Sequence, residues 1–153
     1  MTILEARFPP VALALTVAFL MWIAARALPQ LDFLLPLRGL FAVSCGAFGA
    51  LIGIAGVLEF RRAQTTVNPL RPHAAGSLVV TGIFSLTRNP MYLGLALGLL
   101  GWSLWLGNYA AVALLPVFVA YLSRFQIFPE EQVLERHFGM EFTEYRSRVR
   151  RWI

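Results

Sequence analysis

The chain contains no lysine: all 13 of its basic residues are arginine. That removes lysine Schiff-base chemistry and a phosphate-binding P-loop. Cysteine occurs once, at Cys45 inside an apolar run, so neither an intrachain disulfide nor a thiolate metal cluster can form. Asp32 is the one aspartate, and His73 and His137 are the only histidines. Their spacing suits no metal, and no metal site is expected. Charge as a whole is sparse, 14% of 153 residues, where ordinary domains carry about 25%. A G-x-G-x-x-G turn, an H-E-x-x-H pair and a G-x-S-x-G elbow are missing as well. Any chemistry done here is expected to work without a metal, a protein nucleophile or a soluble nucleotide-binding fold.

Apolar sequence is abundant. With 58% hydrophobic residues and a mean hydropathy of +0.68, the chain reads as one domain, 1–153, folded as an all-α integral membrane bundle of about four spans. A helix needs about 20 apolar residues to cross a bilayer. The segments that qualify are Phe8–Ala25, Leu40–Leu58, Met91–Leu106 and Tyr109–Phe128. The first ends at Arg26-Ala27 without a convincing cleavage site and is read as retained. The third is short and joins the fourth through Gly107-Asn108 alone, a tight hairpin. Gly46, Gly49, Gly53 and Gly56 punctuate the second span, and Gly94 and Gly98 the third. Such small-xxx-small spacing predicts close helix packing.

The arginines orient the bundle. Arg61, Arg62, Arg71 and Arg88 lie in the connection Glu59–Pro90, and five more follow from Arg136 onward. The Gly107-Asn108 turn has none. By the positive-inside tendency the connection and both termini are cytoplasmic, although Arg26 and Arg38 in the short outer loop run against it. The net charge of +5 therefore belongs to a membrane edge, and no nucleic-acid partner is expected. The connection is too long for a plain linker. The tail "FPEEQVLERHFGMEFTEYRSRVRRWI" reads as two short amphipathic helices over 129–151. Pro129 suits a first helical position, Glu130 and Glu131 suit a positive helix end, and Gly139 suits a stop. Arg146, Arg148, Arg150 and Arg151 would then face anionic lipid.

Two stretches carry a resemblance. "TGIFSLTRNPMYLG", followed after a hairpin by "EEQVLERHFGMEFTEYRSRVRRWI", resembles the isoprenylcysteine carboxyl methyltransferase and phospholipid methyltransferase family of integral membrane enzymes. The likeness covers Gln64 to the C-terminus. It implies an S-adenosyl-L-methionine-dependent methyltransferase whose partners are the lipid bilayer and a lipophilic acceptor. It also implies a bacterial inner-membrane location with a cytoplasmic site. In the family the cofactor lies between the loop before the third span, here 64–92, and the start of the C-terminal helix. Carried over by position, the cofactor residues are Asn68, Ser77, Leu78, Val79, Phe84, Asn89, Pro90, Met91, Tyr92 and Glu130. Arg88, Arg124 and Gln126 are the catalytic candidates, the last two on the route by which an acceptor arrives. Asn89 stands where eukaryotic members have histidine. Gln126 stands where those enzymes place an arginine near the substrate carboxylate.

Each of these residues has a plainer reading. Arg88 can snorkel to the interface, Tyr92 can anchor there, and Glu130 can be a helix-end charge. A non-catalytic membrane scaffold or partner subunit that kept the fold is the competing function. The arginine asymmetry generates a test. A reporter fused at Asn108 is expected to report the outer side; a cytoplasmic signal there would overturn the four-span orientation.

Overall fold

The computed structural model describes residues 9–63 and 77–153. Phe8, Asn68, Arg71 and His73 lie outside the described residues. The chain forms α1 (Pro10–Ala27), α2 (Arg38–Arg62), α3 (Pro90–Leu106), α4 (Tyr109–Leu122), α5 (Phe128–Phe138) and α6 (Met140–Arg148). Short 3-10 turns at Pro29–Leu31 and Gly82–Ser85 link them. No strand occurs among the described residues beyond an isolated bridge between Asp32 and Asn108.

Among the described residues, three helices are long and apolar enough to cross a membrane: Pro10–Ala27, Arg38–Arg62 and the continuous run Tyr109–Phe138. They expose large apolar side chains, such as Leu15 and Phe19 on α1 and Phe48 and Leu51 on α2. Such a surface suits hydrocarbon rather than water. At 17 residues α3 is shorter; its rise of about 25 Å is less than the roughly 30 Å hydrocarbon core.

That short helix is the centre of the bundle. α2 packs on α3, and α1 lies against both α3 and α4. Met21, Ala96, Leu99, Ala111, Phe118 and Leu122 are buried where α1, α3 and α4 meet. The α2–α3 contact is backbone against backbone. A Cβ on Gly49 would lie 2.6 Å from the Gly94 carbonyl oxygen, and one on Gly94 would lie 2.5 Å from that of Gly49. Gly101 meets the Ala42 carbonyl at 2.6 Å in the same way, and Gly56 meets the Pro90 ring at 3.0 Å. On α2 the contact positions Ala42, Gly49 and Gly56 recur every two turns, which keeps one face of that helix against α3. Close packing does not extend to all the glycines. A Cβ on Gly46, Gly53 or Gly98 would meet nothing within 4 Å, so those three face open space, and Gly53 gives the seam only its backbone.

The end of the bundle at the α3–α4 turn is clamped by Asn108. Its Oδ1 accepts from the Ala110 and Ala111 amides, capping α4. Its Nδ2 donates to the Leu28 carbonyl at 2.9 Å and to Asp32 Oδ1 at 2.8 Å. Gly107 closes α3 in the left-handed conformation, φ 64°, which a glycine adopts without steric cost. One sequence expectation is revised here. Pro129 does lie in the first turn of α5, but α5 is not set apart from the last span: α4 runs into it through a π-turn at Ser123–Ile127. A proline inside an α-helix removes one hydrogen bond and crowds the preceding turn. The wide turn, in which the Phe128 amide donates to the Ser123 carbonyl, absorbs the defect.

The seam predicts opposite effects from one substitution type. Gly94→Ala forces backbones apart and is expected to cost about 1–3 kcal/mol. Gly98→Ala enters open space and is expected to be neutral or stabilising by up to about 1 kcal/mol. Thermal unfolding in detergent compares them, and equal shifts would remove the close-contact assignment.

Candidate functional site

The stretch Arg88–Tyr92 opens α3, and its side chains fan out in different directions. Pro90 is at the first helical position, where its missing N–H costs nothing. Its ring packs on Gly56 of α2. Met91 faces a groove between α1 and α2. Tyr92 is buried on the other side, where its hydroxyl donates to Glu130 Oε1 at 2.6 Å. That contact joins the two sequence motifs at the mouth of α3 and the start of α5.

Arg88 turns toward the C-terminal segment. Its guanidinium lies 3.0 Å from Glu131 Oε1, with both side chains about nine-tenths buried. Arg151 holds the same carboxylate in a fork, Nη2 to Oε2 at 2.6 Å and Nε to Oε1 at 3.1 Å. Planar bidentate pairing of this kind suits arginine and not lysine. The last residues are also tied down through their backbone. The Arg88 amide donates to the Arg150 carbonyl at 3.0 Å. Asn89 Nδ2 donates to the Arg151 carbonyl at 2.9 Å, and Thr87 Oγ1 donates to it at 3.3 Å. Trp152 Nε1 donates to Ser123 Oγ at 3.2 Å. The chain end therefore lies as a strap across the mouth of α3.

The loop before α3 is fixed from two sides. Tyr145 of α6 donates to the Phe84 carbonyl at 2.7 Å, and Phe84 meets Phe60 of α2 edge-on at 5.1 Å. Gly82 has φ +58°, and a Cβ there would lie 2.6 Å from the Glu59 carboxylate. Glu59 accepts from Thr81 Oγ1 at 3.1 Å and from Arg62 at 2.9 Å. Only glycine combines that conformation with that approach. Burial pushes the Tyr145 hydroxyl up from its ordinary value, Arg88 opposing, so it stays protonated as a donor. Burial pulls the Arg88 guanidinium down. Glu131 opposes this, and Arg151 and Arg146 add to it.

The sequence-derived site residues divide accordingly. Phe84, Val79, Pro90 and Tyr92 are buried around the loop and the helix mouth, Leu78 is half-buried and Ser77 is exposed. Glu130 meets Tyr92. Arg124 and Gln126 are not brought together. Gln126 is fully buried in the π-turn, whereas Arg124 is exposed and lies over the Phe125 and Phe128 rings at 5.7 and 5.6 Å. Glu131, Thr87 and Arg151 were missed. The tail arginines were read as lipid-facing, and for Arg151 the structure corrects this: its guanidinium turns inward onto Glu131. The only signal was Arg151 itself, standing beyond the end of the amphipathic pattern.

Residues 37–141, more than half of the chain, match the family described as Phospholipid methyltransferase. The chain belongs to the phospholipid methyltransferase family. Methyl transfer at a membrane is the general activity that membership implies. An uncharacterized protein of Haemophilus influenzae is 48% identical over 63 residues, which cover 41% of this chain and 100% of that protein. No solved structure matches. The family match includes α2, α3, α4 and α5 and stops at the start of α6, so the strap lies beyond it.

The ion cluster predicts an asymmetry. Removing Glu131 leaves Arg88 buried without a counter-charge, so Glu131→Ala is expected to cost about 3–5 kcal/mol. Arg151→Ala leaves the Arg88–Glu131 pair in place and is expected to cost distinctly less. Thermal unfolding of both variants checks this; the opposite ranking would show that Arg151, not Arg88, sets the cluster's stability.

Proposed function

We propose that this protein is an S-adenosyl-L-methionine-dependent methyltransferase acting on a lipophilic acceptor at the cytoplasmic membrane edge. The single observation that carries the reading is the Tyr92–Glu130 hydrogen bond of 2.6 Å. It brings together two motifs that lie far apart in sequence, at a helix mouth bordering hydrocarbon. The hydrogen-bonding inventory suits a zwitterionic, hydroxyl-rich cofactor. Arg88 Nε is a buried donor without a hydrogen-bond partner among the described residues, and a buried donor left so costs about 1–3 kcal/mol. A cofactor carboxylate would satisfy it. Glu130 commits Oε1 to Tyr92, leaving Oε2 for an amino or ribose group. Asn89 commits its Nδ2 to Arg151, leaving Oδ1 as an acceptor.

In the proposed mechanism this chain's residues position and enclose. When bound, S-adenosyl-L-methionine supplies an activated methyl group together with its own leaving group, so no protein nucleophile is required. Arg88, Asn89 and Glu130 would orient the polar parts, worth far more as alignment than as acid–base groups. Pro90, Phe84 and Val79 would form a dry wall, in which an anionic acceptor and a cationic donor react more readily than in water. Arg124 and Gln126 would bear on the acceptor rather than on the cofactor.

Thermal unfolding with S-adenosylhomocysteine tests this. At a hundredfold excess over the dissociation constant the folded protein is expected to gain about 2.7 kcal/mol. Glu130→Ala is expected to weaken binding about ten- to a hundredfold, the loss of a charge-assisted hydrogen bond. Arg124→Ala is expected to leave binding unchanged and lower turnover with a lipid extract. No stabilisation of folded wild-type protein would favour a non-catalytic subunit. Wild-type affinity in Glu130→Ala would reduce Glu130 to a structural partner of Tyr92.

A further inference from the structure

Three glycines give helix packing only their backbone and leave their Cβ side open onto a groove. Gly46 and Gly53 of α2 and Gly98 of α3 all border an open cavity of about 720 Å³ between α1 and α2, floored by α3. A Cβ on any of the three would meet nothing within 4 Å. Their open sides hollow the surface, and Gly49 and Gly94, which border the same cavity, let the backbones touch. The floor runs from Met91 to Trp102, a rise of about 16 Å along the helix. One leaflet of hydrocarbon is about 15 Å deep. The groove thus matches the reach of one acyl chain.

Its polarity is confined to one end. Arg61, at the last turn of α2, is the single charged residue in the lining among the described residues. It is exposed and has no acidic partner there, whereas its neighbour Arg62 is paired with Glu59 at 2.9 Å. The following segment, 64–76, contains no aspartate or glutamate. A lone cation above an apolar channel one leaflet deep fits an anionic amphiphile. Among the described residues a zwitterionic headgroup would find no uncommitted carboxylate beside Arg61 for its ammonium.

We infer that the groove between α1 and α2 binds one acyl chain of an anionic phospholipid, with Arg61 holding the phosphate of its headgroup. The site is separate from the Tyr92–Glu130 pair and stands whether or not the protein transfers methyl groups. Both headgroups carry a phosphate, so the preference comes from the zwitterion's ammonium, a second cation beside Arg61, and is worth about tenfold; an arginine at this depth also senses the anionic surface.

The protein is reconstituted with equimolar phosphatidylglycerol and phosphatidylcholine of identical chains. It is then released gently and its retained lipid identified by native mass spectrometry, with no cofactor present. Wild-type protein is expected to keep one phosphatidylglycerol with about tenfold preference. Arg61→Ala, at an exposed helix end, is expected to lose the preference, and Arg61→Lys to retain most of it. Gly53→Leu combined with Gly98→Leu fills the groove and is expected to lose the lipid whatever its headgroup. Retention of both lipids in the vesicle ratio by wild-type protein would mean ordinary boundary lipid and overturn the assignment. Undiminished phosphatidylglycerol retention in the filled-groove variant, or an unchanged preference in Arg61→Ala, would overturn it equally.

Discussion

The approach of α2 to α3 is the constraint on which everything else rests. Where Gly49 and Gly94 meet, each backbone carbonyl occupies the place a side chain would need on the other helix. In hydrocarbon the hydrophobic effect gives no reason for helices to associate, so packing of this closeness has to supply it. Two turns further on, the same seam seats Pro90 against Gly56. The start of α3 is therefore positioned by α2, and the polar residues before it inherit that position. Because α1 reaches α3 from another side, the seam also leaves the channel between α1 and α2 uncovered.

The second organising element is electrostatic and sits at the membrane edge. One carboxylate, Glu131, pairs with two arginines from opposite ends of the chain's second half. Burying three charged groups is costly unless each is paired. Here the cost is offset by geometry: the fork from Arg151 satisfies both oxygens, and Arg88 approaches the one shared between them. Glu130, one residue earlier, is turned by the helix toward Tyr92. Two adjacent acids thus do different work because about 100° of helical rotation separates them.

Much of this was legible in the sequence, and what escaped has identifiable causes. Long apolar runs specify spans because the bilayer tolerates little else, and Gly107-Asn108 announced the hairpin through its turn chemistry. Asn108's second role, gripping Leu28 and Asp32, depends on how the outer loop falls and has no local signature. Glycine spacing is the same for Gly49 and Gly53, yet one packs and the other opens a channel, because the partner helix decides. The π-turn before Pro129 is a register shift that composition does not encode. Glu131 and Arg151 were hardest to see, since each was adequately explained by its neighbours: a helix-end acid and a member of a basic cluster. The motif residues from Arg88 to Tyr92 were recognisable as a unit, but the unit disperses in space, each side chain serving a different neighbour.

The strap has a consequence for how the molecule is made. Arg88 and Asn89 are held by carbonyls of Arg150 and Arg151, roughly sixty residues later in the chain. α2 can pair with α3 as the chain emerges, whereas α1 finds its partners only once α3 and α4 have followed. The polar mouth of α3 cannot close until the final arginines have left the ribosome. A chain cut short by a handful of residues would keep its bundle yet carry a buried guanidinium and an open carbonyl-binding edge where the site belongs. Assembly of the polar centre is thereby coupled to the arrival of Arg150 and Arg151, and the membrane portion alone does not report it.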